Sequence, residues 1–302
     1  MSMIYHPGTG LNVGDPERLP VDPARLPSPG ELRAEAESLI LSASGWRKVF
    51  AEAETPYAPW VPHPGPEDSL SETVAAPKLL LAALMAESFG RLVLRQRRTE
   101  TRPALLLGID SRPTGPALAD VFARVLIGLG IEVRYCFIVA APEIMAFAGK
   151  AAKLPEGHPE RAEGFAYISA SHNPPGHNGV KFGLGSGGVL SAQEIAPLIA
   201  QLKTSIASED SVSRALALLS AADKEVLALC YERCAEWKRH SLSAYILFSH
   251  AVITGKEALN EQAAVLDELA EACRHKPLGI VAELNGSARS LSIDRDFFQG
   301  IS

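Results

Sequence analysis

Between Ala104 and Thr204, short apolar runs alternate with helical stretches, an order that restricts the chain to few folds. Ala104–Ile109 (ALLLGI), Glu132–Ala140 (EVRYCFIVA) and Gly164–Ser169 are short, mostly apolar and bounded by turn residues, the pattern of buried strands. Pro116–Gly128 and Pro142–Ala148 read as the helices between them, and Ala192–Thr204 as a closing helix. Strands joined through helices pair in parallel by crossover connections. The expected fold class is α/β, a three-layer first domain with a mixed sheet.

The flanking sequence suggests three regions. Residues 1–38 form a proline-rich extension, an arm with a short helical turn at Glu31–Glu37, and residues 39–205 form the first domain. Inside it, Pro56–Pro66 is a proline-rich connection, Ser69 and Glu72 form a capping box, and Val74–Leu94 is a well-buried helix that the basic run Arg95–Arg98 closes. The polar stretch Ser205–Ser213 marks a boundary, so residues 206–302 read as an incomplete second α/β domain, with helical periodicity over 223–240 and Leu259–Cys273 and a strand at Leu278–Leu284.

Composition excludes several classes. In 302 residues, a net charge of −6 provides no basic footprint for nucleic acid. No apolar run is long enough to span a membrane, and the start MSMIYHPGTG lacks a signal-peptide pattern, so the expected location is cytoplasmic. Cys136, Cys230, Cys234 and Cys273 contain no CxxC pair and read as reduced and mostly buried. The Gly183–Gly188 run (GLGSGG) formally satisfies a dinucleotide fingerprint, but only Val180–Phe182 reads as strand before it, so it is expected to be a hairpin tip.

The chemistry gathers after the Gly164–Ser169 strand. Pro174 and Pro175 disfavour helix before them, and Gly176 and Gly179 permit tight turns, which puts Ser171 and His172 on an exposed loop at a strand's carboxyl end. Ligands of open α/β sheets bind there. A serine hydroxyl needs help to act as a nucleophile, and His172, Asn173, Asn178 and Lys181 are close in sequence. Lys181 and the turn's N–H groups suit a phosphate.

Ser169-Ala170-Ser171-His172-Asn173-Pro174-Pro175, followed by Asn178-Gly179-Val180-Lys181, resembles the active-site loop of the α-D-phosphohexomutases, the phosphoglucomutase and phosphomannomutase family. That signature runs threonine-alanine-serine-histidine-asparagine-proline, then asparagine-glycine-x-lysine; Ser169 stands where threonine is usual. Ser44-Gly45-Trp46-Arg47 resembles the family's first conserved loop, with Ala43 departing from it, and Asp110-Ser111-Arg112 resembles its aspartate-threonine-arginine turn, a local ion pair.

The resemblance implies an intramolecular phosphotransferase that moves a phosphoryl group between the 1 and 6 positions of a hexose phosphate. Ser171 would be the phosphoserine, with His172, Lys181 and Arg47 catalytic and Ser44, Asn173 and Asn178 holding substrate or phosphate. Magnesium would sit beside Ser171 through its phosphate, and a hexose 1,6-bisphosphate would act as activator. The family's aspartate-glycine-aspartate-x-aspartate-arginine metal loop and its later sugar and phosphate loops have no counterpart here, and Asp294-Arg295-Asp296 reads as a solvated turn. The chain is therefore expected to be the amino-terminal part of a mutase and inactive by itself. The alternative is a non-catalytic phosphate-binding module. Sugar preference and oligomeric state are not encoded in these motifs.

Overall fold

A computed structural model describes residues 3–51, 74–96, 101–174, 176–277 and 279–300. The expected connection at Pro56–Pro66, the Ser69/Glu72 capping box and part of the Arg95–Arg98 run lie outside them. The chain opens with strands β1 (Ile4–Tyr5) and β2 (Asn12–Gly14), an antiparallel pair, then helix α1 (Pro29–Ala36). Ser28 caps α1 in a full capping box with Glu31. Val13, Val21 and Leu32 are buried, so the amino-terminal arm packs against the body.

β3 (Ile40–Ser42) and β4 (Gly45–Val49) form a hairpin, followed by α2 (Ala76–Gln96), β5 (Ala104–Ile109), α3 (Gly115–Gly128), β6 (Glu132–Ile138), α4 (Ala141–Ala151), β7 (Gly164–Ile168) and β8 (His177–Leu184). The sheet order is β3-β4-β8-β7-β5-β6. β7, β5 and β6 are parallel, while β8, β4 and β3 continue the sheet antiparallel. The mixed sheet expected from the sequence is therefore present. β8 is longer than the Val180–Phe182 strand expected, because its first half pairs with β4 and its second with β7.

Helices cover both faces, making three layers. Leu105 and Leu107 point into one core with α2 and α3, whereas Leu106 points into the other with Phe147 of α4. Successive strand residues alternate sides, so an unbroken apolar run is what a doubly covered strand requires. Phe182 anchors β8 in the larger core: it stacks on Phe89 at 4.5 Å and meets Trp46 edge-on at 5.0 Å. At the bulge between β5 and β6, Leu107 pairs with Tyr135 and Ile109 with Ile138, so Cys136 and Phe137 share the space opposite Gly108. Phe137 takes a left-handed φ of 58° there.

After β8 the chain is helical: α5 (Ala192–Ala207), α6 (Ser211–Ser220), α7 (Lys224–Glu232), α8 (Cys234–Thr254), α9 (Leu259–His275), a short 3₁₀ turn at Ala288–Leu291 and α10 (Asp294–Gly300). Residue 205 falls inside α5, and Val212, Leu219, Leu227 and Tyr231 beyond it join the larger core. The strand expected at Leu278–Leu284 is not formed over residues 279–284, where Ile280 and Val281 are exposed and no neighbouring strand offers hydrogen bonds. Tyr245–Phe248 lies within α8.

The cysteines are free thiols. Burial pushes the Cys230 thiol up to about 12 and that of Cys234 up to about 11, which leaves both protonated and unreactive at neutral pH. Among the described residues no helix is long and apolar enough to cross a membrane.

Candidate active site

Ser171 stands on the loop from β7 to β8, past the carboxyl ends of the parallel strands, and both it and His172 are exposed. Its backbone is left-handed, with φ 55°, a conformation uncommon for residues other than glycine. The Ser171 N–H donates to Ser169 Oγ (3.1 Å) and the Asn173 N–H to the Ala170 carbonyl (3.2 Å). These bonds fold the loop into a tight turn that presents the serine hydroxyl.

Arg112 fastens this turn. One terminal nitrogen donates to the carbonyls of Ser171 (2.9 Å) and Asn173 (2.6 Å), the other to those of Pro174 (2.7 Å) and His177 (3.0 Å). Asp110 aligns the guanidinium, accepting from Arg112 Nε at 3.3 Å and from its backbone N–H at 3.0 Å. The ion pair expected at Asp110–Arg112 is therefore formed, and its larger effect is on a loop some sixty residues away. The aspartate-x-arginine turn signalled the pair. Nothing in the sequence signalled the four carbonyl bonds.

Strand register brings the second group. Lys181 lies opposite Tyr167 in β8, and its Nζ donates to Ser171 Oγ at 3.1 Å. Arg47 in β4 lies opposite Gly179, and that glycine leaves room for the arginine stem: a Cβ there would come within 2.8 Å of Arg47 Cγ and closer still to the Trp46 carbonyl oxygen. Burial lowers the Lys181 pKa, and the Arg47 guanidinium lowers it further. Arg47 Nη2 donates to Ser44 Oγ at 3.1 Å, while its buried Nε finds no partner among the described residues.

Asn178 sits elsewhere. Its side chain is buried, Nδ2 donating to Thr114 Oγ1 (2.9 Å) and Oδ1 accepting from the Gly179 N–H (2.8 Å), so it tethers β8 to the start of α3. Ser171, His172 and Asn173 line an open cleft of about 650 Å³. Its far wall is Asn285, Ser287, Ala288 and Arg289, and Arg289 is held by an ion pair with Asp294. Of the Asp294-Arg295-Asp296 turn expected to be solvated, Arg295 and Asp296 are exposed but Asp294 is buried at the start of α10. Lys181 adjoins the cleft through its bond to Ser171, and Arg47, which bonds Ser44, lies near Lys181; none of the three lines it.

Sequence reasoning also missed Glu143, a buried carboxylate at the start of α4. It accepts from Lys238 Nζ (2.7 Å), Ser241 Oγ (2.5 Å) and Ser292 Oγ (2.9 Å), fixing α4 against α8 beside the cleft wall at Ala140–Pro142. An acidic residue in a first helical turn gives no sign of such partners.

The donor set around Ser171 is cationic, and among the described residues the carboxylate beside it, Asp110, is committed to Arg112. Among the described residues no group of three or more His, Cys, Asp or Glu side chains is placed to hold a metal. These residues fit a phosphoryl group; they do not by themselves fit a magnesium ion, which requires oxygen ligands.

Residues 70–209 match the family described as phosphoglucomutase/phosphomannomutase, alpha/beta/alpha domain I. The phosphoglucosamine mutase of Streptococcus pneumoniae (strain Hungary19A-6) is 36% identical over 126 residues, 42% of this chain and 25% of that protein. The chain thus spans about a quarter of the length of that relative. Two solved structures resemble the chain over 55% of its length. One, from Thermus thermophilus and described as a phosphomannomutase, has 25% identity, a TM-score of 0.38 and 30% of its chain covered. The other, a phosphoglucomutase/phosphomannomutase family protein from Burkholderia thailandensis, has 21% identity, a TM-score of 0.37 and 31% covered.

Proposed function

Because residues 70–209 match the phosphoglucomutase/phosphomannomutase family, alpha/beta/alpha domain I, we propose that this chain carries the phosphoryl-exchanging serine of a phosphohexomutase, and that Ser171 is that serine. The observation that carries the reading is the 3.1 Å bond from Lys181 Nζ to Ser171 Oγ on a loop clamped by Arg112. A lysine held against a serine hydroxyl neutralises phosphate oxygens once the hydroxyl is phosphorylated. Charging the serine from a hexose bisphosphate forms the Oγ–P bond as the sugar O–P bond breaks, and the serine proton passes to the sugar oxygen. Such transfers depend mainly on positioning and charge stabilisation.

In this reading Arg47 and Lys181 supply positive charge, Ser44 orients Arg47, His172 and Asn173 face the sugar phosphate, and Asn178 holds β8 in place. The family uses magnesium, and here phosphate oxygens on Ser171 would have to contribute to holding the ion. The isolated chain is expected to turn over poorly, since the aspartate-rich metal loop and distal phosphate clamp have no counterpart in its sequence. Losing one such stabilising group costs about 10² to 10³ in rate.

Peptide mass spectrometry after incubation with glucose 1,6-bisphosphate tests the assignment. Phosphate should appear on Ser171 and vanish in Ser171→Ala. Label confined to Ser169, or equal label in the variant, would overturn it. A coupled assay with glucose 1-phosphate and magnesium tests the low turnover, and a rate of roughly 1 to 10³ per second would refute it.

A further inference from the structure

At the opposite end of the sheet from Ser171, the amino ends of β5, β6 and β7 border a second cleft of about 280 Å³. Arg102, Arg134, Arg161 and Arg233 line it against two carboxylates, Glu132 and Glu163. With Glu236, which pairs with Arg233 from outside the lining, three carboxylates face four arginines, a positive excess of one in a chain of net charge −6.

Arg134 is its centre. Only 4% exposed, it donates from Nε to Glu132 Oε1 (2.8 Å) and from Nη1 to the Arg161 carbonyl (2.7 Å). Its guanidinium carbon lies 4.9 Å from the centroid of the Trp237 ring, and that of Arg233 lies 5.0 Å from the same ring. Arg102 donates from Nε and Nη2 to the Gly130 and Ile131 carbonyls. Among the described residues, Arg134 Nη2 and Arg102 Nη1 therefore donate to no protein group; Arg102 is exposed, and Arg134 Nη2 is not sealed from solvent. Arg134 is paired with Glu132, Arg161 with Glu163 and Arg233 with Glu236, so among these four Arg102 is the one with no carboxylate partner among the described residues, and an anion in the cleft would compensate its charge while accepting from the open donors.

We propose that this cleft binds a compact oxyanion of the phosphate class. Its volume falls just below that of pockets for drug-sized molecules, about 300 to 1,000 Å³, and suits an inorganic phosphate or pyrophosphate. β7 separates it from Ser171: five residues at about 3.3 Å each span about 16 Å. The two anion sites are thus distinct.

Inorganic pyrophosphate titrated into the full chain, followed by calorimetry and tryptophan emission, tests the proposal. Lys181→Ala weakens the Ser171 site; Arg102→Gln and Arg233→Gln weaken the proposed one at positions more exposed than Arg134, with folding checked by a cooperative thermal transition. The expected result is saturable binding with an emission change that survives Lys181→Ala and weakens about tenfold or more in each arginine variant. Trp237→Phe should abolish the emission change while calorimetric binding persists. Absence of binding at about 10 mM pyrophosphate, binding lost in Lys181→Ala but kept in the arginine variants, or an emission change that survives Trp237→Phe overturns the proposal.

Discussion

The ammonium of Lys181 donates to the hydroxyl of Ser171 across 3.1 Å, reaching from β8 to the loop that leaves its neighbour β7. The antiparallel return of β8 along β7 makes this bond possible, because it carries residue 181 back past the carboxyl end of the strand that precedes residue 171.

Burial first, and Arg47 second, hold the Lys181 pKa below its ordinary value. The charged form is thus disfavoured in the folded protein, so its cost to stability is present below the folded pKa and is relieved as pH rises through it. Lys181→Met should leave the melting temperature unchanged or raise it by about 1 to 3 °C, while labelling of Ser171 falls about 10²-fold. Labelling by wild type should decline at a pH below the usual lysine range, and Lys181→Arg, permanently charged, should lack that alkaline limb. Identical pH profiles for the two proteins would count against a charged role for Lys181.

Arg112→Lys keeps the charge and loses the fork that reaches the carbonyls of residues 171, 173, 174 and 177. We predict a loss of about 2 to 4 kcal/mol and faster amide exchange confined to residues 169–178. Uniform exchange with unchanged stability would show that the loop holds its shape without the clamp.

Gly179→Ala should disrupt the pairing of β4 with β8, because the new methyl meets the Trp46 carbonyl and the Arg47 stem. Denaturant unfolding should report a loss of about 2 kcal/mol or more, with Ser171 labelling reduced as Arg47 moves. A variant as stable as wild type would place the strands farther apart than described.

Glu143→Gln leaves Lys238 buried beside a neutral amide. Removing one partner of a buried pair typically costs about 3 to 5 kcal/mol, and the double variant Glu143→Gln, Lys238→Met should recover part of that loss. A double variant that loses the sum of the two single-variant losses would mean the pair is not coupled.

Much of the α/β body was legible because doubly covered strands leave an apolar run that little else produces: Leu105, Leu106 and Leu107 face two cores in turn. The Ser171 loop was legible as an ordered motif after such a strand. Residues whose meaning depends on a distant partner were not. Asn178 has the composition of a ligand-facing residue, yet Thr114 takes its amide; Glu143 resembles any first-turn carboxylate until Lys238 arrives from α8. Leu278–Leu284 has strand composition, but a strand forms only beside another, and register across space is not written in local pattern.

The left-handed backbone at Ser171 separates two alcohols that organic chemistry treats as near equals. Threonine offers the same oxygen for esterification, but its branched Cβ is poorly tolerated at positive φ, where an ordinary side chain already incurs about 1 to 2 kcal/mol. Asparagine and aspartate visit that region more readily. The turn therefore acts as a steric filter on residue identity: an acidic mimic can occupy the position comfortably, whereas the alcohol most similar to serine must distort the loop before it can react.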